Sequence, residues 1–138
     1  MCPSMTTVPA AAEAVPGRSV FIVDDDPVLV EALSDLLREE GYRVEAHTEA
    51  SEALSRLRSG VRPDVVLLDY LMPTMNGEQF LDELANAGVH VNVVLFTAMN
   101  EPRIRAHAAR VQGVIRKPFD IDRLLEEIER LRDVEPAR

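Results

Sequence analysis

Cysteine is almost missing from this chain: Cys2 stands alone among 138 residues, so no internal disulfide framework can form, as in proteins of reducing compartments. Positive charge is also scarce. Lysine and arginine total 15 against 24 aspartates and glutamates, a formal net charge of −9, which opposes attraction to phosphate backbones and anionic lipid and argues against direct nucleic-acid binding. No run approaches the ~18 consecutive apolar residues of a spanning helix. The N-terminus lacks the basic start and long apolar core of a signal peptide, and Glu13 breaks its best candidate stretch, Ala10 to Val15. The expectation is a cytoplasmic protein with no membrane partner, acidic enough to recruit a divalent cation or a basic partner surface.

The chain has the length of one domain. Residues 1–17, with Pro3, Pro9, Pro16 and Gly17, offer little apolar mass to offset ordering entropy and read as a flexible leader, within which Met5 is an alternative start. Residues 18–132 read as the folded domain and 133–138 as a short tail. Within the domain, strands are expected at Ser19 to Val23, Tyr42 to Ala46, Asp64 to Leu68, Val91 to Phe96 and Gly113 to Arg116. Helices are expected from Pro27 to Glu40, Ala50 to Ser59, Glu78 to Ala87, Pro102 to Arg110 and Ile121 to Leu131, with Asp26 and Asp120 as caps and Gly41, Gly60 and Gly88 as stops. No internal repeat interrupts the pattern. Five strands alternating with five helices specify an α/β fold, a parallel sheet covered by helices on both faces.

In such a sheet ligands bind beyond the carboxyl ends of the strands. Strand one ends in Asp24-Asp25-Asp26, strand three in Asp69, strand four in Thr97 and strand five in Lys117-Pro118. A single Asp suffices to cap a helix, and Asp26 fills that role. Adjacent carboxylates at the end of a buried strand repel one another and lose hydration, so Asp24 and Asp25 call for a cation. Asp69 alone would read as a turn residue before a proline-containing loop, but its strand position sets it opposite that pair. Lys117 is the only lysine in the chain, a compact charge able to enter a small anionic site where a planar guanidinium fits less well. Thr97 is an ordinary strand residue apart from where its hydroxyl lies. A carboxylate cation site, a further carboxylate, a hydroxyl and a positive charge are the parts that phosphoryl transfer requires, and attack by a carboxylate would give an acyl phosphate.

From about Arg18 to Arg132 the chain resembles the receiver domain of two-component response regulators, through Asp24-Asp25 in VDDDP, Asp69 in LLDYLMPTMNG, Thr97 in FTA and Lys117-Pro118 in RKPF. The resemblance implies a flavodoxin-like fold of strand order 2-1-3-4-5. It implies Asp69 as phosphoacceptor from the phosphohistidine of a sensor histidine kinase or a histidine phosphotransfer protein. It further implies Mg²⁺, or Mn²⁺, held by Asp24, Asp25, Asp69 and the backbone carbonyl of Leu71. Thr97 and Lys117 would bind the phosphoryl oxygens, the Lys117-Pro118 bond would be cis, and a downstream target protein would read the switched surface. On this reading the chain is a signalling phosphoacceptor without an output domain, rather than an enzyme acting on other molecules.

Three departures stand out. Val114 occupies the position of the family's aromatic switch residue. The stretch from Thr97 to Lys117 is about two residues short by analogy with the family. Leu71 and Met99, each two residues beyond a site residue, are apolar, which would leave attacking water without a polar partner and prolong the acyl phosphate. A haloacid-dehalogenase-type hydrolase would need an Asp at position 71, and a flavodoxin would need a Ser/Thr/Gly-rich phosphate loop where this chain has acids. The nearer alternative is a docking adaptor that keeps the fold without regulated phosphorylation. His47 and His107 read as lone histidines without chemistry, Met72 and Met75 as filling beneath a loop, and Glu126, Glu127 and Glu129 as a solvated helix face paired with Arg123 and Arg130.

Overall fold

Ser19–Val23 (β1), apolar and β-branched, forms a strand whose last four residues are buried. It pairs in parallel with Arg43–His47 (β2) on one side and Val65–Asp69 (β3) on the other. Val93–Thr97 (β4) lies beside β3, and Gly113–Arg116 (β5) beside β4. The sheet is therefore five parallel strands in the order β2-β1-β3-β4-β5, the flavodoxin-like order that the resemblance implies. This computed structural model describes residues 19–98, 107–131, 134 and 136. The leader with Cys2 and Met5, Met99 and most of the helix expected from Pro102 lie outside the described residues.

Four α-helices are described: Pro27–Glu39 (α1), Ala50–Arg58 (α2), Gly77–Asn86 (α3) and Ile121–Leu131 (α4). Of the helix expected from Pro102 to Arg110, the described part is His107, in helical conformation, and a 3-10 turn, Ala108–Arg110. Alternation along the strands divides the core into two layers. Phe21, Val23, Val66, Leu68 and Leu95 face α2 and α3, which contribute Leu54, Leu57, Phe80 and Leu84. Val20, Ile22, Leu67, Val94 and Phe96 face α1 and α4, which contribute Leu33, Leu37, Leu124 and Ile128. Every residue of β3 and β4 is buried, and none of the edge strand β2 is fully so, as expected where helices cover both sides of the central strands.

Local chemistry sets the element ends. Asp26 accepts from the Val28 and Leu29 N–H groups at 3.1 and 3.3 Å, with Pro27 in the first helical turn. Asn76 and Gln79 form a reciprocal capping box, so α3 starts at Gly77, one residue earlier than expected. Gly41 and Gly60 follow their helices at φ of 96° and 110°, conformations open to glycine at little cost. β2 begins at Arg43, after Tyr42, whose N–H turns back to the Leu37 carbonyl. β3 begins at Val65 because Asp64 is occupied with Ser19, accepting its N–H through the side chain at 3.0 Å. The sheet therefore carries Asp69 as its last β3 residue, in register with Phe96.

Candidate functional site

Two strand tips meet where strand order reverses between β1 and β3. Asp24 follows β1, Asp69 ends β3, and one carboxylate oxygen from each of Asp24, Asp25 and Asp69 lies within 4.8 Å of the others. Asp24 is fully buried and Asp25 exposed. The Asp24 carboxylate accepts from the Asp26 N–H at 2.9 Å and from Lys117 Nζ at 2.9 Å. Lys117 Nζ also stands 3.6 Å from Asp69 Oδ2 and 4.9 Å from the centre of the Phe96 ring, so the cation bridges both acids over an aromatic floor. The Lys117 N–H bonds the Thr97 carbonyl at 2.9 Å, tying the tips of β4 and β5 together, and the Lys117-Pro118 peptide is cis. Thr97 is fully buried at the end of β4.

Asp69 is 6% exposed. Burial pushes its pKa up to about 6, and the negative charges of Asp24 and Asp25 add to the rise, while Lys117 and the Leu71 N–H oppose it. That N–H donates to Asp69 Oδ1 at 3.4 Å. The donor set suits a hard divalent cation: oxygens around Mg²⁺ sit at about 2.0–2.1 Å from the metal, so opposite ligands are roughly 4 Å apart, a spacing the three acids reach with small side-chain adjustments. Mutual repulsion among three clustered carboxylates favours such an ion.

The structure thus brings together Asp24, Asp25, Asp69 and Lys117 and sets Thr97 at the adjoining strand tip. Leu71 is exposed just beyond Asp69, and Val114 is half-buried against the α2/α3 layer. Met72 and Met75 pack against that same layer, as filling residues would. His47 ends the edge strand with Nε2 2.7 Å from Glu45, which also holds Arg56. Glu127 pairs with Arg130 and Arg123 at helical spacing, but Glu129 does more than face solvent: it accepts the Tyr42 hydroxyl at 2.6 Å.

His107 departs furthest from its sequence reading. Read as a lone histidine without chemistry, it is buried at 9% exposure, and its Nε2 lies 3.1 Å from the Tyr70 hydroxyl. The overlooked signal was Tyr70 itself, a phenol directly after a buried strand, whose hydroxyl requires a partner once its ring is buried.

The family model "Response regulator receiver domain" matches residues 20–129. The chain is 37% identical over 109 residues to the probable transcriptional regulatory protein TcrX of Mycobacterium tuberculosis, a match covering 78% of this chain and 46% of that protein. It is 30% identical over 118 residues to the chemotaxis protein CheY of Thermotoga maritima, covering 83% of this chain and 98% of that one. The chain thus spans about half the length of TcrX and nearly all of CheY. The crystal structure of response regulator TrrA from Thermotoga maritima, in complex with Mg²⁺-BeF, superposes with a TM-score of 0.72 at 29% identity, over 83% of this chain and 98% of that chain. The family match runs through all five strands, both helix layers and every strand tip that contributes an acid or the lysine, and the chain therefore belongs to the response regulator receiver domains of two-component signalling.

Proposed function

We propose that Asp69 is the phosphoacceptor of a receiver unit formed by residues 18–132. The donor is a phosphohistidine on a sensor histidine kinase or a histidine phosphotransfer protein, and the modified receiver presents an altered surface to a downstream target protein. The observation that carries this reading is the setting of Asp69: a nearly buried carboxylate at a strand tip, beside both the Asp24-Asp25 pair and the Lys117 ammonium. An Asp69 oxygen attacks phosphorus and the P–N bond breaks. Its electron pair stays on the imidazole nitrogen, which takes up a proton, and an acyl phosphate is left on Asp69. Such transfer depends chiefly on positioning and on neutralising oxygen charge.

Asp24, Asp25 and Asp69, with the Leu71 carbonyl, are the groups that would hold Mg²⁺ or Mn²⁺, and the ion when bound supplies positive charge against the phosphoryl oxygens. Lys117 supplies a second positive charge, kept in place by Asp24. Thr97 supplies a buried hydroxyl for a phosphoryl oxygen and, by following it, reports the modification. The exposed Leu71 side chain offers attacking water no polar partner and lengthens the life of the acyl phosphate. Crystallisation of the related TrrA with Mg²⁺-BeF supports the same site chemistry here.

Incubation with acetyl phosphate and Mg²⁺, read by intact mass, tests the proposal. One phosphoryl adduct is expected in the wild type and none in Asp69→Asn. An unmodified wild type would overturn the acceptor role and leave a docking adaptor with a receiver fold.

A further inference from the structure

Beside the proposed acceptor a phenol and an imidazole meet, and nothing in the phosphoryl chemistry uses them. Tyr70 follows Asp69 directly but belongs to the opposite layer, buried to 4% exposure against α2 and α3. Its ring packs on His107 with centroids 5.2 Å apart, and its hydroxyl lies 3.1 Å from His107 Nε2, donating when that nitrogen carries no proton. Gly77 makes room for the ring: a Cβ there would stand 2.7 Å from Tyr70 Cδ1 and 3.2 Å from its Cα. Both ends of Tyr70 are therefore held, the ring tip by His107 and the carbonyl by the Gly77 N–H at 2.8 Å.

The peptide joining Tyr70 to Leu71 is also held by the acceptor. Its N–H donates to Asp69 Oδ1, and its carbonyl accepts from Gly77. Converting the Asp69 carboxylate to a mixed anhydride removes the charge that makes Oδ1 a strong acceptor, which loosens one of the two bonds on that peptide. On the far side, His107 leads into the Ala108–Arg110 turn. Arg110 pairs with Asp82 of α3 at 2.8 Å, and Glu78 of α3 stands 4.0 Å from His107 Nε2. The turn then enters β5 through Gln112, which exchanges two hydrogen bonds with Val93, at 2.9 Å through its N–H and 2.7 Å through its side chain. Val114, half-buried on the same apolar layer, has no polar tip with which to join this chain of contacts.

We propose that the Tyr70–His107 contact transmits the state of Asp69 to the Ala108–Arg110 turn and to the α3 face carrying Glu78 and Asp82. Tyr70 and His107 are positioning residues acting through a hydrogen bond, in a chain whose position 114 lacks an aromatic side chain. The inference rests on Asp69 as phosphoacceptor, and its test keeps the two apart.

Hydrogen exchange across residues 107–116 is measured with and without beryllofluoride and Mg²⁺, alongside the acetyl phosphate adduct. In the wild type, beryllofluoride is expected to change exchange at residues 108–112. Tyr70→Phe and His107→Ala are expected to take the adduct normally while the beryllofluoride response falls about three- to tenfold, the population shift that one hydrogen bond of ordinary strength controls. The double variant should lose no more than either single one, and His107→Gln, which keeps a polar tip, should recover part of the response. A full response in Tyr70→Phe, or losses that add in the double variant, would overturn the proposal. A wild type with neither adduct nor response would remove the acceptor reading and this inference with it, whereas a wild type that responds alongside an equally responsive Tyr70→Phe would remove the inference alone.

Discussion

Replacing Asp69 by Asn should make the cation-free protein more stable, although it removes the proposed acceptor. The Asp69 carboxyl is pushed up to about 6 from an ordinary 3.8 by lost hydration and then by the charge of Asp24, against the pull of Lys117. The folded state therefore binds this proton more tightly than the unfolded chain. Below about pH 4 Asp69 is protonated in both states and costs nothing, and the stability associated with its proton is lost as pH rises through about 6. A shift of about two units, at roughly 1.4 kcal/mol each, makes the full cost about 3 kcal/mol. Asn carries no charge at any pH and escapes that cost, which is already net of the attraction of Lys117 at 3.6 Å. The net expectation is a gain of about 1–3 kcal/mol near pH 7.5 in EDTA, measured by urea unfolding followed by circular dichroism. The gain should shrink toward zero near pH 4, and Mg²⁺ should narrow it by binding the wild type more tightly. A variant no more stable than the wild type at the higher pH, or a gain that does not vary with pH, would refute the reasoning.

Gly77→Ala should cost about 1–3 kcal/mol, since the new methyl meets the Tyr70 ring and backbone where neither can retreat easily; an unchanged melting temperature would show that the ring is not confined there. Leu71→Asn should shorten the life of the acyl phosphate by giving water a polar partner beside Asp69, and equal dephosphorylation rates would count against that role for Leu71. Asp25→Ala should weaken Mg²⁺ binding in a calorimetric titration while leaving the fold intact, because Asp25 is exposed and one of only three acids in the cluster; unaltered affinity would remove Asp25 from the ligand set.

The strand tips were legible in the sequence because each marks an abrupt passage from apolar to polar residues, as at Val23 to Asp24 and Leu68 to Asp69. Once alternation with helices implied a parallel sheet, those tips had to gather at one edge, while the strand order that sets Asp24 and Asp25 beside Asp69 came from the resemblance to receiver domains. What escaped depended on pairs far apart in the chain. His107 became a buried residue through Tyr70, 37 positions away, and Glu129 acquired a structural bond through Tyr42, 87 positions away. Neither histidine nor glutamate announces such a partner, since the same side chain is solvated when alone and buried when matched. The buried Asp24 likewise finds its charge partner in Lys117, which reaches it from 93 residues downstream. Asp69 and Tyr70 bring the legible and the hidden together. As neighbours at the end of a strand they serve opposite faces of the sheet, one in the acid cluster and the other in the core. A charge placed on the first therefore acts on a peptide that the second anchors in the packing, and the chemistry of the site cannot change without the core beside it feeling the difference.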